Sequence, residues 1–173
     1  MRKIKKPGEE EYPSYAKMYI DLLQDDELIL DHLKENFIVV KELILSLPSE
    51  RLNHRYQAGK WTVKEIITHI IDDERIYAHR ALCFARNEKT GLPGFDQDEY
   101  VKYSGTGERD ILNIFEEYHA VRNSTITLFN GLPDEALTRY GTANNNKAIV
   151  RALCYHIAGH ELHHIIRIKK FYL

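Results

Sequence analysis

Apolar residues recur at steps of three and four along four long stretches of the chain, and this spacing predicts four amphipathic helices. From about residue 26 to 47 the seam is Leu30, Leu33, Phe37, Val40, Ile44 and Leu47, and Pro48 closes it. The second seam is Val63, Ile66, Ile70, Tyr77, Ala81 and Phe84, interrupted by Asp73. It begins at Thr62 and Glu65, which match a capping box, with Trp61 placed to staple onto Ile66. A third helix is expected from about 108 to 130, with Ile111, Ile114, Phe115, Tyr118, Val121, Thr125 and Leu128 inward and Gly131-Leu132-Pro133 as its stop. The fourth carries Leu153, Ile157, Ile165 and Ile168 and ends in Arg167, Lys169 and Lys170, cations that suit the negative end of a helix dipole. No stretch reads as a strand.

Two connections are long. Residues 88–107 are punctuated by Gly and Pro yet carry Phe95, Tyr100 and Tyr103, so they either cover an active-site mouth or pack on the bundle as a crossover. Residues 134–146 end in Asn144-Asn145-Asn146, any of which is a candidate cap for the fourth helix. Two such connections predict an all-α fold, a four-helix bundle with long crossover connections rather than simple up-and-down order. Residues 1–25 form an N-terminal arm in this reading, loose over its first dozen residues, with a short helix from Ser14 to Leu23. Residues 26–173 form the bundle.

Composition narrows the class. Apolar residues at 43% and charged residues at 29% are ordinary for a water-soluble domain. A formal charge of −2 gives no general attraction to phosphate backbones, so no nucleic-acid partner is expected. No segment reaches the roughly 20 apolar residues of a membrane span, and no signal-peptide core follows the basic first residues. Cys83 and Cys154 lack CxxC spacing and suit reduced thiols, and the protein is read as cytoplasmic.

The candidate chemistry is concentrated near the end of the chain. His156, His160, His163 and His164, four of nine histidines, fall within nine residues. Residues four apart share a helix face with Cβ atoms roughly 5 to 6 Å apart, which lets two imidazoles meet at one metal ion. His160, Glu161 and His164 also match His-Glu-x-x-His, with Glu161 as the base of a zinc protease. That reading lacks its downstream third ligand, because no His, Asp, Glu or Cys follows His164. A third ligand must lie upstream, and His32, His69 and His119 sit on three different helices that spacing does not rank. Buried, hydrogen-bonded core histidines are the plainer alternative. Asp72, Asp73 and Glu74 follow His69 and are placed to accept an imidazole N–H. His163, turned about 100° from the pair, either relays protons or lies outside the bundle.

The stretch from Trp61 through His69 to Asp72, the segment from Gly159 to His164, Arg80, and Phe95-Asp96-Gln97 together resemble the DinB-like superfamily of metal-binding four-helix bundles, over about residues 26–170. In that family one histidine comes from the second helix and a His-x-x-x-His pair from the fourth. The resemblance implies His69, His160 and His164 as ligands of one divalent ion, zinc or nickel first, iron or manganese also suited to imidazole. His156 falls outside the family pattern. His163, Asp72 and Arg80 are the candidate catalytic residues, with Asp96 and Gln97 shaping the mouth. The family includes bacillithiol S-transferases, mycothiol-dependent enzymes and metal-dependent hydrolases. The resemblance therefore implies a transferase or hydrolase acting on a small electrophilic substrate, with a low-molecular-weight thiol as partner in the first case. The alternatives are a non-catalytic metal-binding or stress-related bundle, and an interaction protein, such as a homodimer, in which the histidines are incidental.

Overall fold

The computed structural model describes residues 1–173. The elements in order are α1 (Lys17–Ile20), α2 (Ile29–Leu45), α3 (Ser49–Leu52), α4 (Val63–Ala85), α5 (Gln97–Tyr103), α6 (Ile111–Gly131), α7 (Asp134–Leu137), β1 (Tyr140–Ala143), β2 (Asn146–Ile149) and α8 (Val150–Phe171). The four long helices α2, α4, α6 and α8 are the four expected seams. Thr62 and Glu65 form the full capping box of α4: the Thr62 hydroxyl accepts from the Glu65 N–H at 3.2 Å, and the Thr62 N–H donates to the Glu65 carboxylate at 2.7 Å. Asp110 caps α6, accepting from the Leu112 N–H at 2.7 Å.

Each of α4 and α8 packs on the other, α4 also packs on α6, and α2 packs on both α6 and α8. The core divides into two apolar clusters, one holding Leu30, Leu33, Phe84, Phe129 and Leu153, the other holding Ile44, Ile67, Phe115 and Ile168. Helices α2 and α8 run from the first cluster to the second, and α4 and α6 run back. Adjacent α4 and α6 are therefore parallel, so the chain between them must travel the length of the bundle. That is why residues 86–110 are long, and they carry α5 on the way. Between the two clusters lies a buried polar layer containing His69, Asp73, Glu74, Arg122, His156, His160 and Glu161.

Three expectations are corrected. The first dozen residues are not loose: Ile4 and Tyr12 are buried in the first cluster, as are Ala16, Ile20 and Leu23. The Ile4 N–H donates to the Glu27 carbonyl at 3.0 Å, the Tyr155 hydroxyl donates to the Ile4 carbonyl at 2.7 Å, and Arg151 pairs with Glu11. Isolated apolar residues in a charged background leave no periodic signal. Ser14–Ala16 forms a 3₁₀ turn that leads into α1, which docks closely on α8 at Gly159; a Cβ built there would overlap the Tyr19 carbonyl.

Secondly, a β-hairpin is present, β1 paired antiparallel with β2 in the register Tyr140↔Ile149 to Ala143↔Asn146. Thirdly, Asn144 and Asn145 do not cap α8. They are the two-residue hairpin turn, both at positive φ (48° and 59°), the left-handed conformation that asparagine tolerates best after glycine. Helix α8 starts after Ile149 with no side-chain cap. No helix is long and apolar enough to cross a membrane. Both cysteines are free, Cys154 buried and Cys83 half-buried.

Candidate metal centre

His69 projects from the first half of α4 into the bundle, and the capping box fixes its height by setting where that helix begins. His160 and His164 lie one turn apart on α8, the antiparallel neighbour. Their Nε2 atoms converge: His69 to His160 is 3.1 Å and His164 to His160 is 3.1 Å. One ligand atom from each of the three lies within 4.8 Å of the others, and no carboxylate or thiol joins the group.

An imidazole nitrogen carries either one proton or one in-plane lone pair, so the His160 Nε2 cannot serve two neighbouring ring nitrogens through hydrogen bonds of good geometry. Three lone pairs facing one point are satisfied together by a shared cation. The protonation states agree with that chemistry. Burial lowers the pKa of His69; it pushes His160 down to about 3 and, with His160 and His69 as neighbours, His164 to about 2, so all three are neutral near pH 7. Donor type, separation and charge state fit a divalent ion.

The surroundings hold these rings in place. Trp61 packs on His69 with ring centroids 4.7 Å apart, and the Tyr19 ring from α1 stands edge-on to His156, His160 and His163. Asp73 Oδ2 lies 3.3 Å from His160 Nδ1, the side of that ring opposite the convergence point, and 3.4 Å from His156 Nε2. Burial opposes ionisation of Asp73, but His160 and His156 beside it hold its carboxyl well below the usual carboxylate range. Asp73 is thus the acidic residue placed to orient a histidine of the group. Asp72 instead sits 3.9 Å from Arg75 and lines neither cavity at the histidines.

The remaining candidates fall as follows. Glu161 turns away from the site into the polar layer, accepting from the Tyr118 hydroxyl and from Arg122 Nη2 at 3.0 Å, which removes it as a protease base. His32 pairs with Asp26 at 3.0 Å, and His119 stacks on Phe37 while bonding to Asn123; neither reaches the site. His163 is half-buried on the cavity wall rather than outside the bundle, its pKa lowered by burial and by Arg167. Asp96 caps α5 by accepting from the Asp98 and Glu99 N–H groups, whereas Gln97 faces the cavity. Arg80 is buried beside the site, on the wall of an adjoining cavity. Tyr19 and Tyr77 belong to the site walls without having signalled it in sequence, because nothing in local spacing ties α1 or the far half of α4 to α8.

His69 stays buried, while His160 and His164 open on a cavity of about 440 Å³ lined by Tyr19, Tyr56, Trp61, Gln97, Arg167 and Phe171 among others. This is room for a small organic molecule. A protein of Oceanobacillus iheyensis, named provisionally as a metal-dependent hydrolase, is 24% identical over 129 residues, 74% of either chain. YfiT from Bacillus subtilis, described as a probable metal-dependent hydrolase with an unusual four-helix bundle topology, superposes with a TM-score of 0.70 at 16% identity, covering 96% of this chain and 91% of that one. The sequence model of the DinB superfamily matches residues 33–168, a span that includes all three histidines and most of the bundle, and the chain belongs to that superfamily.

Proposed function

We propose that the protein is a metal-dependent enzyme of the YfiT type, acting on a small electrophilic substrate by hydrolysis or by transfer of a low-molecular-weight thiol. The observation that carries this reading is the convergence of three neutral imidazole nitrogens with no fourth protein ligand, two of the three rings standing on the wall of an open cavity. His69, His160 and His164 would hold the ion. When bound, a divalent cation at such a site supplies Lewis acidity that brings the pKa of water or a thiol towards neutrality. Imidazole donors suit zinc or nickel, with iron and manganese as alternatives.

The chain's own residues supply the rest. Asp73 Oδ2, 3.3 Å from His160 Nδ1, is placed to orient the His160 ring, and Trp61 packs on His69. His163, unprotonated near neutral pH, stands on the cavity wall where it can take a proton from the nucleophile. Tyr56, Trp61 and Phe171 give the substrate an apolar wall, and Arg167 and Gln97 give it polar contacts.

Cobalt substitution tests the reading. Co²⁺-loaded protein titrated with 2-mercaptoethanol should develop a sulfur-to-cobalt charge-transfer band in the near ultraviolet if thiol enters the coordination sphere. A spectrum unchanged at saturating thiol removes the transferase branch. If the visible bands also ignore azide, no open position exists and the hydrolase branch falls with it.

A further inference from the structure

Beside the metal cavity lies a second compartment of about 300 Å³, lined by Tyr15, Tyr77, Arg80, Asn144 and His156 and sharing Tyr19, Gln97 and His160 with the first. Arg80 is 5% exposed yet pairs with no carboxylate. Its single hydrogen bond runs from Nη2 to the Pro93 carbonyl at 3.2 Å. The other deeply buried arginine, Arg122, shows the usual arrangement, with Glu74 and Glu161 both against it. Burying a guanidinium without an anion is expensive, and such groups are found paired or facing a ligand.

The ring of Tyr77 lies 4.8 Å from the Arg80 guanidinium carbon and that of Phe95 lies 6.0 Å away, so aromatic side chains occupy space beside it and leave unused N–H donors for a ligand. The one acid in this compartment, Asp73, faces His156 and His160 instead. His156 is buried in the same wall, stacked on Tyr77 at 3.7 Å, and neither of its ring nitrogens has a hydrogen-bond partner. Tyr15 and Tyr77 hydroxyls, 3.1 Å apart, add a further donor.

We infer that this compartment binds a carboxylate of the small molecule that reacts at the metal centre, with Arg80 as its anchor. A planar, two-oxygen anion matches the guanidinium fork, and its reactive end would then lie towards His160, one of the three residues both spaces share. The inference names the substrate class for the function proposed above and rests on it.

The probes are 3-mercaptopropionate and 2-mercaptoethanol, a thiol with and without a carboxylate, each titrated into Co²⁺-loaded protein, with propionate and inorganic phosphate followed by calorimetry. Wild type should bind 3-mercaptopropionate about tenfold or more tightly than 2-mercaptoethanol, the range of a charge-assisted hydrogen-bonded pair. Arg80→Met should abolish that preference while leaving cobalt content and 2-mercaptoethanol affinity unchanged, and Arg80→Lys should retain part of it. Arg75→Gln, at a residue already paired with Glu117, should change nothing. Equal affinity of wild type for the two thiols, or a preference that survives in Arg80→Met, overturns the proposal. Phosphate binding more tightly than propionate overturns the carboxylate assignment. If neither thiol reaches the metal, the transferase reading fails separately, and loss of propionate binding in Arg80→Met still decides the role of Arg80. If Arg80→Met does not fold, the Arg80→Lys comparison carries the test.

Discussion

Arg122, on α6, ties all four long helices together, and its removal should loosen both the bundle and the candidate metal centre. Its Nε donates to both Glu74 oxygens at 3.0 and 3.1 Å, its Nη2 to Glu74 at 2.9 Å, to the Tyr118 hydroxyl at 3.0 Å and to Glu161 at 3.0 Å, and its Nη1 to the Leu33 carbonyl on α2. Arg122, Glu74 and Glu161 are all about 1% exposed. Burial raises the Glu161 pKa even though Arg122 and the Tyr118 hydroxyl pull it down. Arg122→Met would leave Glu74 without its cation and remove the side-chain donor to the Leu33 carbonyl. Breaking a buried pair from one side costs about 3 to 5 kcal/mol, a large share of the roughly 5 to 15 kcal/mol that holds a domain together. For a chain of this size the midpoint should fall by roughly 6 to 20 °C. Calorimetric melting of metal-free protein measures this. Glu74 adjoins Asp73 and Glu161 adjoins His160, so cobalt affinity should fall as well. The triple variant Arg122→Met, Glu74→Leu, Glu161→Gln should recover much of the loss, because removing every charge of a buried network together leaves no unpaired ion behind. A shift below about 2 °C for Arg122→Met alone would refute the reasoning, since it would mean the network contributes little.

Three further outcomes are expected. Thr62→Ala should lower stability by about 1 kcal/mol, the usual cost of an N-cap, and weaken cobalt binding without abolishing it; an unchanged melting curve would show that the cap does not matter. Gly159→Ala should destabilise by about 1 to 3 kcal/mol through overpacking against the Tyr19 backbone, and near-ultraviolet dichroism should show the tyrosine environment altered; wild-type stability would contradict so close an approach of α1. In metal-free protein the depressed pKa values of His160 and His164 favour the neutral rings, a contribution fully present above the unfolded value of 6.5 and lost as pH falls towards about 3 for His160 and about 2 for His164. Each such residue should steepen the loss of stability below pH 6.5 by up to about 1.4 kcal/mol per pH unit, and His164→Gln should flatten it in urea titrations between pH 7 and 5; an identical slope in the variant would contradict the assignment.

The sequence carried the long-range order of the bundle where local signals were strong. The period of the apolar seams located all four long helices, and Thr62 with Glu65 placed the start of α4 to the residue. The His-x-x-x-His pair was legible because helical spacing alone puts His160 and His164 together. His69 was not, since His32 and His119 have equally good helical contexts; resemblance singled it out, and tertiary packing of α4 against α8 brings it to the pair. Asp73 was one of three neighbouring acids, and only the rotation of α4 turns it, rather than Asp72, towards His160. The hairpin was missed because Asn144-Asn145 serves a left-handed turn as readily as it serves a helix cap, and the flanking strands have only four residues each. The N-terminal arm was misread because single residues such as Ile4 and Tyr12 find their partners far away in sequence, on α8 and the hairpin side of the core.

The proposed function depends on one divalent ion held jointly by His69, His160 and His164. Protein purified without an affinity metal, stripped with chelator and titrated with Co²⁺ by absorbance and calorimetry tests it most directly, alongside His69→Ala, His160→Ala and His164→Ala. Wild type should saturate at about one ion per chain, and each variant should bind far more weakly, because a site with three protein ligands has no spare one. Undiminished cobalt affinity in His69→Ala, with the same visible spectrum as wild type, would contradict the account.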